Sequence, residues 1–315
     1  MTRSNGQALA TLVLDIGGTH LRIGHVQGLQ GVQVSAEQCQ HSSAALRQPD
    51  CDAVAFLAEH IRAYAQAMQL QFEAVVLGLP VSLDHQHDYA LSSPNLPALE
   101  GVALASRLRE ELGVTVWLER DINLLLMGEW RAGAVQGAQS VLGAFIGTGI
   151  GGSFLQQGRP YRGASGGAVE LGHVPIRAEG RRCVCGNVDC LEAYACGRRL
   201  EALAQQHGLE LADLFRHPSL ALQADLQDFV RDLAYGLAAA VNLFDPECLL
   251  LGGGVVMMAG FPRERLQRIL YDHLRKPIPA NSLRLHWAAL GSRASLYGAL
   301  WLLQLRNETP RHKAP

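Results

Sequence analysis

Four residues in one short stretch have the chemistry to hold a metal: His173, Cys183, Cys185 and Cys190. One neutral imidazole and three thiolates make the ligand set of a closed tetrahedral zinc site. Three of the seven cysteines fall between positions 183 and 190, with a Gly-Asn turn at 186–187 among them, and chance spacing seldom does this. A reduced thiol cluster beside a surface histidine is the competing reading. Two carboxylates flank the ligands. Glu170 precedes His173 by three residues, so a helical turn would aim both one way. Glu192 follows Cys190 by two. A metal here would fix two carboxylates and an imidazole relative to one another, as the support of a binding pocket does.

A second chemistry is written in glycine. Asp15-Ile-Gly17-Gly18-Thr19 follows an apolar run, and Gly147-Thr148-Gly149-Ile-Gly-Gly152 follows another about half a chain later. Glycine turns let backbone N–H groups approach an anion with no side chain in the way. The first loop alone reads equally well as a plain hairpin turn with an edge aspartate. The pair reads as two similar half-molecules whose loops grip both ends of a polyphosphate. Gly252-Gly253-Gly254 closes a further apolar run, and three glycines there let a flat group lie on the backbone. Asp121 follows Thr115–Leu118 and opens the apolar stretch Leu124–Trp130. That is the carboxyl end of a strand, where ligands sit in open α/β sheets. Asp121 can cap the helix and do chemistry at once. Asn95, in Ser-Ser-Pro-Asn-Leu-Pro, offers an amide to a ligand. His85 and His87 lie in a polar loop with no thiol or carboxylate set beside them, which reads as solvated.

The elements that position these residues follow from apolar periodicity. Thr11–Asp15, Leu21–Val26 and Val32–Gln38 predict a meander around turns at 16–19 and 28–31. Asp52 predicts the cap of a helix reaching about Gln69. Ala74–Leu77 and Thr115–Leu118 predict strands, with a helix over Gly101–Leu112 between them. In the second half, strands are expected at Ser140–Ile146, Ser153–Gln156, Cys248–Leu251 and Leu283–Trp287. Helices are expected at Leu200–Leu214, Asp225–Phe244, Pro262–Lys276 and Ser292–Leu305, the last crossing back onto the first domain. Asn307–Pro315 reads as a loose tail. The division expected is an N-terminal α/β domain over 1–125, completed by the helix at 292–306. A C-terminal α/β domain over 126–291 carries the zinc stretch.

Composition sets outer bounds. The 315 residues are 48% hydrophobic and 18% charged, with a net charge of -2. That is ordinary globular make-up, with length for two domains and no charge bias toward nucleic acid or a membrane surface. Seven cysteines, an odd number, suit a reducing compartment better than a disulfide framework. The first ten residues have no charged-then-apolar pattern, and no apolar run nears the roughly 20 residues of a membrane helix. The expectation is a cytoplasmic protein.

Taken together, Asp15 to Arg22, the 147–152 loop, Glu170-Leu-Gly-His173, Cys183-x-Cys185-Gly-x3-Cys190-Leu-Glu192 and Gly252–Gly254 resemble the ROK family of bacterial sugar kinases and sugar-responsive repressors. The resemblance spans nearly the whole chain. It implies an α/β fold of two actin-like, ribonuclease-H-like domains with a cleft between them, closing over the sugar. It implies an ATP-dependent hexose kinase with Asp121 as general base and Asn95, Glu170, His173 and Glu192 on the sugar hydroxyls. His173, Cys183, Cys185 and Cys190 would bind structural Zn2+. Asp15, Gly17, Gly18, Thr19, Thr148 and Gly149 would meet Mg2+ and the ATP phosphates, with Gly253 and Gly254 along the nucleoside. Within the family the chain is most similar to the D-allose kinases, in Ser92–Pro97, Arg120-Asp121-x-Asn123, Asn242–Pro246 and Phe261–Glu264. Glucose-directed members usually carry Asn where Arg120 stands. Glucose, fructose and N-acetylmannosamine are the alternative acceptors, and a homodimer is implied. The repressor alternative calls for a helix-turn-helix, for which the residues before Thr11 are too few. Asp189 departs from the family's usual Gly before the last cysteine, which predicts a looser zinc loop.

Overall fold

The computed structural model describes residues 9–28, 33–35 and 39–308. It divides into two compact α/β units. One takes the chain to Gln136, then Arg162–Ala168 and the part from Leu290 on; the other takes Gly137–Tyr161 and Val169–Ala289.

In the first unit the elements are β1 (Ala10–Ile16), β2 (His20–Gln27), β3 (Gln33–Val34), β4 (Cys39–Ser42), α1 (Ala53–Ala67), β5 (Phe72–Leu79), β6 (Ser82–Leu83), β7 (Ala90–Ser92), α2 (Leu104–Leu112), β8 (Thr115–Arg120) and α3 (Asp121–Ala132). The main sheet runs β3-β2-β1-β5-β8, with β4 also on β2. β1 and β2 form an antiparallel hairpin, and β5 and β8 continue parallel to β1. Leu12, Leu14, Val75, Leu77, Val116 and Leu118 join Leu57 and Ile61 of α1 in one buried core. Strands covered in this way must be apolar nearly throughout, which is why β1 and β5 read as continuous apolar runs. Asp52 caps α1 as its sequence predicts, accepting from the Val54 and Ala55 N–H groups at 3.0 and 3.2 Å.

The second unit repeats the plan with β9 (Ser140–Ile146), β10 (Ile150–Gln156), β11 (Arg159–Pro160), α4 (Leu191–Ala195), α5 (Gly197–His207), α6 (Leu220–Phe244), β12 (Cys248–Gly252), α7 (Arg263–Asp272) and β13 (Arg284–Trp287). Its sheet runs β11-β10-β9-β12-β13, again a hairpin followed by two parallel strands. The helix α8 (Ala294–Glu308) then returns to the first unit and lies on α3. A Cβ on Gly128 would strike the Ala294 carbonyl, and one on Gly298 the Leu124 carbonyl. One glycine on each helix thus lets the backbones touch.

Several boundaries differ from the sequence expectation. α3 is one helix through Ala132, so the first unit extends past 125 to Gln136 and also takes in Arg162–Ala168. Residues 101–103 are not helical; α2 starts at Leu104. The helix expected over 200–214 stops at His207, where Gly208 turns left-handed at φ 65°, and Leu211–Arg216 is a separate 3-10 turn. α6 starts earlier, at Leu220, and α7 covers only Arg263–Asp272. Of the expected third strand, Gln33–Val34 pairs with β2, while Val32 and residues 36–38 lie outside the described residues. Residues 309–315 of the expected tail also lie outside them, and α8 runs on to Glu308.

Candidate active site

In the first unit the predicted residues gather at the carboxyl edge of the sheet. Asp15, next to last in β1, is in register with Gly78 of β5, and Gly78 with Glu119 of β8. A Cβ on Gly78 would press on Leu124 Cδ1 at 2.8 Å, so this glycine lets α3 pack close over the sheet. Asp121 is the first residue of α3, and Arg120 occupies the capping position expected for it. Its Oδ1 still accepts the Ile122 N–H at 2.7 Å. Burial pushes the Asp15 carboxyl above its usual range, and Arg22, 3.8 Å away across the hairpin, only partly opposes this. A bound cation would restore the charged form. One carboxylate suits Mg2+, which keeps waters and takes phosphate oxygens as its other ligands. Gly18 and Thr19 are exposed at the hairpin turn. The Gly17 carbonyl is pinned by the Ser43 hydroxyl at 2.8 Å and the Gly18 carbonyl by Arg47 at 2.9 Å. A Cβ on Gly18 would sit 3.9 Å from Asn95 Cβ, so Asn95 stands beside this turn.

Sequence reasoning missed what holds Asp121 in place. Glu119, with no solvent exposure, takes a two-pronged ion pair from Arg162 at 2.9 and 2.6 Å. It also accepts from Asn123 at 2.8 Å and the Arg120 N–H at 3.0 Å. Burial alone would raise this carboxyl; the Arg162 charge and hydrogen bonds, with His87 and Asn123, hold it below its usual range. His87 is not the solvated loop residue its neighbours suggest. Its Nδ1 meets the Leu118 carbonyl at 3.0 Å and its Nε2 meets Arg162 at 3.1 Å, which suits a neutral ring donating from Nδ1. Burial lowers its pKa accordingly. Arg120 reaches the Ala168 carbonyl at 2.9 Å. Segment 162–168 is therefore strapped to the strand end that carries Asp121. The one available signal was Glu119 itself, a carboxylate next to the apolar run Val116–Leu118.

In the second unit the Gly147-Thr148-Gly149 turn joins β9 to β10, with Thr148 exposed. Glu192 is tied to this turn. Its carboxylate accepts the Ile150 N–H at 2.7 Å and the Arg198 guanidinium at 2.5 Å. A Cβ on Gly149 would land on that carboxylate. Gly253, at φ 94°, brings its Cα against the Ile146 carbonyl, and Gly254 faces open space, which leaves room for a flat ring. Glu170 leads a short 3-10 turn, Leu171–His173, in place of the α-helical turn its spacing suggested. A Cβ on Gly172 would strike the Ile150 carbonyl, so the turn rests on the strand that Glu192 also holds.

The four metal-ligand candidates converge, with ligand atoms all within 4.8 Å of one another. Cys185 Sγ lies 3.7 Å from Cys190 Sγ, and Cys183 Sγ 3.6 Å from His173 Nδ1. Tetrahedral zinc, with bonds of about 2.3 Å to sulfur and 2.0–2.1 Å to nitrogen, requires edges of roughly 3.5–3.8 Å. The donor set and its two short separations match the ion, and ligand atoms spread to 4.8 Å would draw in by up to about 1 Å around it. Without it, burial and the neighbouring thiols push Cys190 up to about 12. Asp189 does not loosen the loop. It adopts φ 61°, and its carboxylate accepts the Gly180 and Arg181 N–H groups at 2.9 and 3.0 Å and the Tyr194 hydroxyl. The Tyr194 hydrogen bond, first among these partners, holds the carboxyl below its usual range.

The ROK family model matches residues 11–306. A glucokinase of Thermotoga maritima is 31% identical over 224 residues, 65% of this chain and 68% of that one. An N-acetyl-D-glucosamine kinase of Aliivibrio salmonicida is 31% identical over 251 residues, 72% of this chain and 80% of that one. A ROK glucokinase from Streptomyces griseus, solved with glucose and AMPPNP, superposes with a TM-score of 0.77 at 26% identity, covering 93% of this chain and 98% of that one.

Proposed function

This chain belongs to the ROK family, and from that premise we propose that it phosphorylates the 6-hydroxyl of D-allose. It is an ATP-dependent sugar kinase, as its kinase relatives and the fold shared with the nucleotide-bound glucokinase support. The acceptor is the further step. The observation that carries it is Arg120, adjoining Asp121 where glucose-directed members usually carry Asn, with its guanidinium committed to the Ala168 carbonyl. Glucokinase, fructokinase, N-acetylmannosamine kinase and N-acetylglucosamine kinase activities are the alternatives within the family.

In this reading Asp121 accepts the proton of the attacking hydroxyl, a step worth about 10²–10⁴-fold. Glu119 and Arg162 hold the strand end that sets its position. Asn95, Glu170, His173 and Glu192 bind the remaining hydroxyls. Of these Glu192 is buried, His173 half-buried, and Asn95 and Glu170 exposed, so an epimer that leaves Glu192 unpaired loses most, about 1–3 kcal/mol. The turns at 17–19 and 147–149 present N–H groups and threonine hydroxyls to phosphate oxygens, and Gly253 and Gly254 accept the nucleoside. Mg2+, when bound at Asp15, supplies positive charge to the phosphates. Zn2+ on His173, Cys183, Cys185 and Cys190 would fix the 170–192 segment. A cytoplasmic homodimer with no nucleic-acid or membrane partner belongs to the same proposal; no described helix is long and apolar enough to cross a membrane. Asp121→Asn tests the chemistry. The variant should melt like the wild type and turn over about 10²–10⁴-fold more slowly; a near-normal rate removes Asp121 from the base role.

A further inference from the structure

A cavity of about 320 Å³ in the second unit is walled by Arg181, Arg182, Arg198 and Arg199, with Glu192 its one carboxylate. Four guanidinium groups against one carboxylate leave three positive charges in excess. The volume is at the low end of the roughly 300–1,000 Å³ typical of small-ligand sites. Three of the arginines are held in place by protein contacts. Arg181 reaches the Ala193 carbonyl at 3.2 Å and stacks on Tyr194, 4.3 Å from the ring centre. Arg198 bonds the Glu192 carboxylate, and Arg199 lies 3.8 Å from Asp225, which also takes His207. Arg182 is exposed and makes no side-chain hydrogen bond or ion pair among the described residues. Burial, then the Arg181 charge, lower the Arg199 pKa, and Asp225 opposes them.

Rigid, forked guanidinium groups around a small hollow match the geometry of phosphate oxygens. We propose that this arginine-walled cavity binds a small phosphomonoester dianion, and that its occupancy weakens sugar binding by drawing Arg198 away from Glu192. Binding stands on the cavity alone. The coupling rests on the proposed function, because it requires Glu192 to hold the sugar. Arg198 is the link, since one guanidinium serves the cavity wall and the carboxylate that also pins the 147–149 turn. The anion and the Glu192 carboxylate compete for its donors, and because such coupling is reciprocal the sugar must also weaken the anion. Two sources share the chemistry, the hexose 6-phosphate formed by the enzyme and inorganic phosphate.

The test is calorimetric titration of the zinc-loaded, nucleotide-free protein with D-allose 6-phosphate and, separately, inorganic phosphate. The variants are Arg182→Ala/Arg199→Ala and the milder Arg182→Gln/Arg199→Gln, each checked by its melting temperature. Wild type should bind at least one probe, and both variants at least tenfold more weakly. Initial-rate kcat and the sugar KM should stay at wild-type values in the variants. Saturating probe should raise the sugar Kd several-fold in wild type and much less in the variants. Product held at the catalytic centre would persist in both variants and so is read separately. Equal affinity for both probes identifies phosphate alone as the ligand; a preference for the sugar phosphate identifies the product. No binding at 10 mM, or equal binding by wild type and variants, overturns the site. Binding that leaves sugar affinity unchanged overturns the coupling. A protein that binds the probe but turns over no sugar fails the kinase reading and leaves the anion site standing.

Discussion

Arg162→Ala removes two hydrogen bonds and a full charge from Glu119, a carboxylate with no solvent exposure; the arginine side chain itself is 32% exposed. Deleting one partner of a buried ion pair costs about 3–5 kcal/mol, because the remaining charge is left uncompensated. The partial exposure of Arg162 favours the low end, about 3 kcal/mol. At about 2–4 °C per kcal/mol for a unit of 150–250 residues, the melting temperature should fall by about 6–12 °C. The pH dependence adds a sign. In the wild type the folded pKa of Glu119 lies below its unfolded value. That pair therefore stabilises above about pH 4.3, and its contribution is lost as pH falls through the lower, folded value. In the variant, burial raises the carboxyl instead, so the folded state holds the proton more tightly and stability rises as pH falls. His87 works in the same direction, since it gains an unpaired carboxylate to charge against. The deficit against wild type, followed by circular-dichroism melts, should therefore shrink from pH 8 to pH 5. Glu119→Gln/Arg162→Met should recover at least half of it. A deficit under 2 °C, or one that deepens on acidification, would refute the reasoning.

Protein purified without metal-affinity resin should carry about one zinc per chain by elemental analysis, and Cys190→Ser should release it and lower the melting temperature. A metal-free wild type would return the cysteines to a plain thiol cluster. Gly149→Ala should displace the Glu192 carboxylate and leave the Ile150 N–H unpaired, at about 1–3 kcal/mol; equilibrium titration should show sugar binding roughly tenfold weaker, and unchanged binding would separate Glu192 from the sugar.

What the sequence made legible follows physical range. The two Gly/Thr turns, the Asp52 cap and the His/Cys spacing are local patterns, and each could be read within twenty residues. The likeness of the two halves followed from the pairing of those turns, while the parallel pairing of the later strands is seen only in the fold. The Glu119–Arg162–His87 network was not legible, because its members are brought together only by folding, and nothing near Arg162 marks it as a buried partner. Asp189 misled for a related reason. A non-glycine residue at a left-handed position signals strain locally, but its carboxylate reaches Gly180, Arg181 and Tyr194, and those partners fix the loop. Helix ends slipped where terminators were weak; at His207 the stop is Gly208, readable in hindsight as a left-handed cap.

The most direct test of the central claim is sugar-dependent ADP release from Mg-ATP, compared as kcat/KM across D-allose, D-glucose, D-mannose, D-fructose, N-acetylmannosamine and N-acetylglucosamine. D-Allose should lead, and Asp121→Asn should slow every sugar that turns over by about 10²–10⁴-fold. A clear preference for another sugar would contradict the role given to Arg120 while leaving Asp121 in place, and no turnover with any of the six would contradict the hexose-kinase reading itself.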